Sequence, residues 1–395
     1  MDERQEELKR LSLLLSPAGQ ELLDRLRTTE VTRDTELRVA TALRRAYPPE
    51  LVSAALWQHE LRVKAERKFS RAREMYFTRP GLEQASSEVV ARYRAMRFAP
   101  YARIADLCTG IGGDLLALAP GHSVLAVDRD PVHLEMALLN ARVYDPDVDV
   151  RPLLADVRDV DLHGVDAVFI DPARRDGGQR HIGGESEPPF DWCLTLADQV
   201  PAVGIKAAPG LAHELVPEGW EIEFVALDRD LKEAAVWSPA LATTSRRATI
   251  LPDGATLRAA PGPPVSCAMP GAYLLDPNPA VTRAGLVEEL ARDVDGWKID
   301  EQIAFLSTKH SVVTPFARTL QVIESMPWHQ KRIVQRLRAL NAGAVDIRRR
   351  GLAGDVEAFH KRLKLTGDRR FTLVMTRVLG KPWALICADV GGARG

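Results

Sequence analysis

The stretch Ile104-Ala-Asp-Leu-Cys-Thr-Gly-Ile-Gly-Gly-Asp-Leu-Leu-Ala-Leu-Ala119 runs from an apolar strand pattern through a glycine-rich turn into an amphipathic helix pattern. Gly110, Gly112 and Gly113 let the backbone bend sharply and approach a ligand with no Cβ in the way. The helix that follows is expected to offer unpaired N–H groups at its first turn. A dinucleotide fingerprint, GxGxxG, would need glycine at 115, where this chain has Leu115, and Asp114 would set a carboxylate beside a pyrophosphate. Both features argue against NAD or FAD. S-adenosylmethionine carries no phosphate, and the ammonium of its methionine end suits the carboxylate of Asp106 at the end of the strand.

The next strand pattern, Val124 to Asp128, ends in an acid 18 positions after Gly110. There it can accept hydrogen bonds from both ribose hydroxyls. The third ends near Ala155-Asp156-Val157, where a carboxylate can receive an adenine amino group. Asp at a strand end is also a common turn former, so each acid alone says little. Three acids at three successive strand ends fit one ligand.

Short apolar runs at 103–108, 123–127, 148–153, 165–170, 202–206, 221–227 and 247–251 alternate, early on, with helical stretches. They predict an α/β fold with a Rossmann-like, seven-stranded, mostly parallel sheet and right-handed crossovers. The terse connection before the last run predicts an antiparallel edge hairpin. Upstream, Leu8, Leu11, Leu14, Leu15, Leu22, Leu23 and Leu26 fall at helical spacings broken by Ser16-Pro17 and Pro48-Pro49, which predicts an N-terminal helical domain over 1–74. The methyl-donor domain is expected over 75–252. Two Gly and five Pro between Pro252 and Pro270 predict a linker at 253–270. Residues 271–395 then carry helix patterns (Thr282–Arg292, His329–Leu340) and strand patterns (Ala344–Arg349, Arg370–Val378, Trp383–Ala388), enough for a small C-terminal α/β domain. Arg174 to Pro189, with four Gly, reads as a mobile loop after the fourth strand.

With 395 residues the chain exceeds what one hydrophobic core organises, and 46% hydrophobic with 27% charged residues is an ordinary globular balance. No apolar run reaches the roughly 20 residues that span a bilayer, and the acidic N-terminus does not suit a signal peptide, so no membrane association and a cytoplasmic location are expected. Cys108, Cys193, Cys267 and Cys387 lie far apart with no CxxC pair, so no metal site and no disulfide framework are expected. The net charge of −1 hides an uneven spread. From Arg62 to Arg103 eleven Lys/Arg face four Asp/Glu, and from Asp346 to Lys381 ten face four. Such stretches suit either a phosphate backbone or plain solvated helix faces.

Asp106-Leu-Cys-Thr-Gly-Ile-Gly-Gly-Asp114, Ala126-Val-Asp128 with Asp130-Pro131, and Asn140-Ala-Arg-Val-Tyr144 resemble class I S-adenosylmethionine-dependent methyltransferases. The resemblance is to the branch of RNA guanine-N2 methyltransferases that includes the cap-trimethylating enzymes, and it spans roughly residues 75 to 250. Met75-Tyr-Phe-Thr-Arg79 and the helix Ser86–Met96 are similar to that branch's lead-in segment, which packs over the cofactor. The resemblance implies S-adenosylmethionine as cofactor, with Asp106, Gly110, Gly112, Gly113, Asp128, Asp156, Phe77 and Thr78 as its binding residues.

The fourth strand runs Asp166-Ala-Val-Phe-Ile170 into Asp171-Pro172-Ala173-Arg174-Arg175. Ligands of open α/β sheets sit at the carboxyl ends of the strands, so this segment faces the transferable methyl. Methyl transfer is an in-line displacement by a lone pair held within about 3–3.5 Å. Amine-methylating members have Asp-Pro-Pro-aromatic here: the Asp side chain and the next carbonyl accept the amino hydrogens, and the aromatic stacks on the base. Asp171 and Pro172 match that pattern, while Ala173 and Arg174 depart from it. Arg174 can stack on a base by its guanidinium plane or bind a phosphate or carboxylate with Arg175. Asp171, Pro172 and Arg174 are the catalytic candidates. Lys206 points to the same sheet edge by alternation and can serve substrate phosphate or merely cap its strand. His181 is a proton shuttle or an exposed loop residue. A pyrimidine-C chemistry would need a thiolate, for which Cys193 is the candidate, unless it is a buried small hydrophobe.

The tail resembles the THUMP-like domain appended to a bacterial methyltransferase family, through Tyr273-Leu-Leu-Asp-Pro-Asn-Pro279, Ile347-Arg-Arg-Arg-Gly351, Lys361-Arg-Leu-Lys-Leu365 and Thr372-Leu-Val-Met-Thr-Arg377. This implies an RNA partner, tRNA or rRNA, with Arg348, Arg349, Arg350, Lys361, Arg362 and Lys364 as phosphate-binding candidates. The function expected is methylation of a base nitrogen in structured RNA. A scaffold with a decayed catalytic loop and a small-molecule methyltransferase remain as alternatives, and an NAD oxidoreductase is opposed by Asp114 and Leu115.

Overall fold

A computed structural model describes residues 3–32, 34–174, 186–352, 359–360 and 363–390. The chain divides into two compact units, Met1–Trp220 with Ala235–Thr243, and Glu221–Ala234 with Thr244–Gly395.

The first unit opens with helices α1 (Glu3–Leu15), α2 (Pro17–Arg27), α3 (Glu36–Leu43), α4 (Pro49–Ala65), α5 (Arg79–Gln84) and α6 (Glu88–Ala95). Ser16 and Pro17 punctuate as expected: the Ser16 hydroxyl caps α2 by accepting from the Gly19 N–H at 3.1 Å, and Pro17 stands at the first helical position. Leu11, Leu14, Leu22, Leu23 and Leu26 are buried in one cluster with Phe69, Met75, Phe77, Ile111, Val132 and Met136. The N-terminal helices therefore share their core with the glycine turn, through Ile111.

There follow β1 (Arg103–Leu107), α7 (Leu115–Leu118), β2 (Ser123–Asp128), α8 (Pro131–Tyr144), β3 (Asp149–Leu154), β4 (Ala167–Ile170), the short strands β5 (Ala173–Arg174) and β6 (Ser186–Glu187), α9 (Phe190–Thr195) and β7 (Ala202–Ala207). The order β3-β2-β1-β4-β7 is parallel throughout. After β7 the chain forms β8 (Glu221–Leu227) and β9 (Asp230–Trp237), of which Ala235–Trp237 return to the first unit beside β7. Phe98 packs edge-on against Phe169 and beside Trp237, with ring centroids 6.1 and 6.0 Å apart, at the centre of this unit's second cluster.

In the second unit β8 lies between the first part of β9 and β10 (Arg246–Leu251), and β10 pairs in turn with β11 (Ala255–Arg258). Then come β12 (Tyr273–Pro277), α10 (Pro279–Arg283), α11 (Val287–Asp293), β13 (Trp297–Asp300), β14 (Ile303–Thr308), β15 (Ala317–Pro327), α12 (Gln330–Ala339), β16 (Ala342–Arg349), β17 (Arg369–Val378) and β18 (Lys381–Asp389). Seven of these strands form a sheet of order β13-β14-β12-β15-β18-β17-β16. Alternation along β17 and β18 sends Val374 and Leu385 into a cluster with Leu274, Phe305 and Leu320, and sends Leu373 and Ile386 into another with Ile333, Leu337 and Phe371.

All seven expected strands form, with four corrections. The runs at 221–227 and 247–251 are not an antiparallel hairpin: β8 and β10 are parallel, in register from Ile222↔Arg246 to Leu227↔Leu251. The hairpin partner of β8 is β9, whose Lys232, Glu233 and alanines favour helix in isolation and are overridden by sheet neighbours. The expected linker contains β11, antiparallel to β10. The helix pattern Thr282–Arg292 divides into α10 and α11, with Gly285 between them at φ 66°. Four strands of the C-terminal sheet, β12 to β15, were not among the expected patterns. No helix among the described residues is long and apolar enough to cross a membrane.

Candidate cofactor and methyl-transfer site

The carboxyl end of β1 delivers Asp106, buried at 1% exposure, where it accepts a hydrogen bond from the Thr109 hydroxyl. Past it the chain turns through Cys108 and Gly110, both at positive φ, and through Gly112 at φ 85°. A Cβ on Gly112 would lie 2.9 Å from the Ala137 Cα, so the turn is pressed onto α8 and only glycine fits. At Gly110 a Cβ would meet nothing within 4 Å, so the turn is open on that side. Asp128, at the end of β2, fixes the turn by accepting from the Gly110 N–H at 2.8 Å and from the Asp130 N–H at 2.8 Å.

Asn140 of α8, fully buried, completes the support. Its amide accepts from Tyr76 N at 2.7 Å and donates to the Tyr76 and Ile111 carbonyls, each at 2.9 Å. It thereby ties the lead-in segment to the glycine turn. Phe77 and Thr78 stand differently from expectation. The Phe77 ring is wholly buried 5.9 Å from Phe69, and the Thr78 hydroxyl caps α5 at Gly81 N and pairs with His133 Nε2, both at 3.0 Å. Both side chains are used in packing and capping, which leaves them no free face for a ligand.

Two further expectations are revised. The helix after the turn is only the four-residue α7, too short to form an anion site at its first turn. Asp114 is buried and neutralised: Arg94 of α6 forms an ion pair with it and donates to Ser86 Oγ at 2.6 Å, while Ser86 donates to Asp114 at 3.1 Å. Arg94 also lies 5.0 Å over the Phe169 ring. The case against a pyrophosphate thus rests on Leu115 and the short helix, since the Asp114 charge is already compensated. Sequence spacing gave no signal for Arg94.

Asp156, after β3, accepts from the Arg158 backbone N–H at 3.0 Å and from its guanidinium at 2.9 and 2.7 Å. These contacts hold its carboxyl down at about 2. Arg158 also reaches Glu187 of β6 at 2.9 Å, joining the β5–β6 pair to the end of β3.

Asp171 follows β4, its backbone N–H donating to the Leu107 carbonyl at 3.2 Å. Lys206, at the end of β7, donates to Asp171 Oδ2 at 2.5 Å. Burial and the neighbouring carboxylate of Asp114 push the Asp171 carboxyl up, against the pull of Lys206 and Arg94. Asp106 is pushed well above the ordinary carboxylate range by burial and by Asp114, Asp171 and Asp128. Among the described residues, no Lys, Arg or His pairs with Asp106 or Asp128.

Pro172 and Ala173 continue from Asp171, and the Arg174 backbone pairs with Ser186. The Arg174 side chain, Arg175 and His181 lie outside the described residues. Cys193 is fully buried in α9 and burial pushes its thiol up to about 12, so it holds no thiolate for attack on a pyrimidine carbon. Among the described residues no cluster of His, Cys, Asp and Glu is placed to hold a metal ion.

Of the phosphate-binding candidates, Arg348, Arg349 and Lys364 are exposed. Arg350 is committed elsewhere: it pairs with buried Asp276 at 3.1 Å and lies 4.8 Å over the Phe305 ring. Lys361 and Arg362 lie outside the described residues.

The family model for RNA cap guanine-N2 methyltransferases matches residues 101–181, a THUMP domain-like model matches 317–389, and a domain of unknown function matches 7–65. An uncharacterised S-adenosylmethionine-dependent methyltransferase of Mycobacterium tuberculosis, found in strains CDC 1551 and H37Rv, is 36% identical over 327 residues, covering 76% of this chain and 84% of the relative. The crystal structure of a candidate methyltransferase from Porphyromonas gingivalis W83 has the same fold, with a TM-score of 0.72 at 18% identity, over 99% of this chain and 100% of that one. With Asp106 and Asp128 at the strand ends beside an open glycine turn, and with this relative matching three quarters of its length, the chain belongs to the S-adenosylmethionine-dependent methyltransferases.

Proposed function

We propose that the protein methylates a base nitrogen of structured RNA, tRNA or rRNA, with an exocyclic guanine amine as the favoured acceptor. The observation that carries this is the charge balance at the strand ends. Asp114 and Asp171 have cationic partners, whereas Asp106 and Asp128 have none among the described residues, so the pocket is short of positive charge. A ligand bearing an ammonium suits Asp106, and ribose hydroxyls suit Asp128 beside open Gly110. Asp156 and the backbone at Gly110, Gly112 and Gly113 complete the proposed cofactor set. Bound there, S-adenosylmethionine supplies an electrophilic methyl on a sulfonium.

Asp171 then acts on the acceptor. Lys206 occupies Oδ2, and among the described residues Oδ1 accepts no other hydrogen bond. Oδ1 and the Pro172 carbonyl accept the two amino hydrogens and aim the nitrogen lone pair at the methyl. The nitrogen so aimed takes the methyl in line, and Asp171 then receives its surplus proton and passes it to solvent. Arg174 is proposed to meet the base or a neighbouring phosphate. The RNA cap guanine-N2 and THUMP domain-like matches support an RNA acceptor over a small molecule.

The test is Asp171→Ala. The purified variant should bind S-adenosylmethionine in calorimetry as the wild type does, yet transfer no labelled methyl to a total tRNA and rRNA fraction. Retained transfer would remove Asp171 from the mechanism. If the wild-type protein showed no cofactor affinity, the alternative of a decayed scaffold would hold instead.

A further inference from the structure

We infer that Lys206 is a positioning residue for methyl transfer: its ammonium holds one oxygen of the Asp171 carboxylate and so presents the other, ionised, to the acceptor nitrogen. The inference rests on the reading of Asp171 given above. Its geometry begins in the backbone. β4 and β7 are parallel neighbours in register at Ile170↔Ile205, which brings Asp171 and Lys206 side by side one residue further on. A lysine that merely capped a strand would extend into solvent, gaining hydration and rotamer freedom. Lys206 instead keeps its side chain at 16% exposure, with its Nζ 2.5 Å from Asp171 Oδ2.

The charges facing Asp171 explain why such a contact is needed. Asp106 and the Cys108 thiol face it from the end of β1, Asp114 from the turn, Arg94 from α6 and Lys206 from β7. Arg94 is committed to Asp114 and Ser86. Among the described residues Lys206 is thus the cation in direct contact with Asp171, set against two nearby carboxylates and burial. Without it Asp171 would take up a proton more readily, and a protonated carboxyl offers a donor where an acceptor is required. The residue type matters too. An ammonium makes a point contact and leaves the second oxygen open, whereas a guanidinium fork tends to occupy both.

The test uses the full-length protein, S-adenosylmethionine and a bulk small-RNA fraction. In Lys206→Met, kcat should fall by about tenfold or more at neutral pH while KM for RNA stays within about twofold. The acid limb of the kcat–pH profile should move to higher pH, because losing the cation raises the Asp171 carboxyl further. Lys206→Arg should return that limb to near its wild-type place. A loss confined to KM, with the limb unmoved, would overturn the inference and mark Lys206 as a substrate-phosphate contact. So would an unchanged kcat. Lys206→Gln removes the charge but keeps a donor, and it replaces the methionine variant if thermal melting shows that variant unfolded. Titration of 13C-labelled aspartate carboxyls, with the Asp171 signal assigned from Asp171→Asn, needs no turnover. A midpoint higher in Lys206→Met than in wild type supports the inference, and an equal midpoint overturns it. Wild-type protein inert on RNA would instead defeat the RNA reading and leave the carboxyl titration to decide on Lys206.

Discussion

Arg94 and Asp114 show at the scale of single residues how far the site depends on partners distant in sequence. Both are nearly inaccessible, and together with Ser86 they form a closed polar triangle under the glycine turn. Removing one member of a buried pair leaves an uncompensated charge, which costs about 3–5 kcal/mol. Arg94→Met should therefore lower unfolding free energy in urea by that amount, and Asp114→Asn combined with it should recover part of the loss. An additive double mutant would mean the pair is not coupled. The turn makes a second contrast. Gly112→Ala must displace the α8 backbone and should weaken both stability and cofactor affinity, whereas Gly110→Ala, with open space around it, should cost only about 1 kcal/mol of backbone strain. Asp106 and Asp128 were legible in the sequence because a strand end followed by glycine is a local pattern. Arg94 was not, because a helix-to-turn ion pair leaves no periodicity. Lys206 was half legible: alternation placed it at the right edge, but its partner emerges only from the β4–β7 register.

Among the elements, α8 does more than cross between β2 and β3. Its N-terminus is capped by Asp130, which accepts from Val132 N at 2.9 Å and His133 N at 3.2 Å, and its interior carries Asn140. These two polar residues are predicted to differ in weight. Asp130→Ala exposes helix-end donors to water and should cost about 1 kcal/mol. Asn140→Ala strips partners from the Tyr76 N–H, the Tyr76 carbonyl and the Ile111 carbonyl inside the core, and at 1–3 kcal/mol for each buried orphan it should cost several. Denaturant unfolding checks the order, and calorimetry should find cofactor affinity reduced only in the Asn140 variant, where the turn loses its anchor. Element by element, the parallel core of the sheet was readable because its strands are short apolar runs between helices. β9 was not, since its Asp-Leu-Lys-Glu-Ala-Ala start has no strand signature. β15 likewise mixes buried, half-buried and exposed positions and bends at a register shift between Val322 and Glu324, which blurs a period of two.

For the whole molecule, a net charge of −1 leaves no general attraction to a polyanion, so an RNA partner has to be held by local excess charge. In the second unit that excess is smaller than the sequence suggests. Arg350 and Arg229 both serve buried Asp276, Arg229 at 3.0 Å; Arg370 pairs with Asp346 at 2.9 Å and Arg336 is bound to Glu324. Arg348 and Lys364 are exposed, and neither is among the ion pairs of the described residues. A phosphate contact shows itself in salt dependence, because each one releases counterions and contributes about 0.7–0.9 to the slope of log K against log salt. Arg348→Ala with Lys364→Ala should therefore weaken binding of a bulk small-RNA fraction at low salt and flatten that slope by about 1 to 2, with unfolding unchanged. Arg350→Ala should do the reverse, altering the slope little while lowering stability, though by less than the roughly 3–5 kcal/mol of a fully stranded charge because Arg229 still pairs with Asp276. Filter binding across a salt series, beside thermal melts of the same proteins, separates the two. A slope indifferent to Arg348 and Lys364 would show that phosphate recognition lies elsewhere, and the basic stretch from Arg62 to Arg103 would be the next to neutralise.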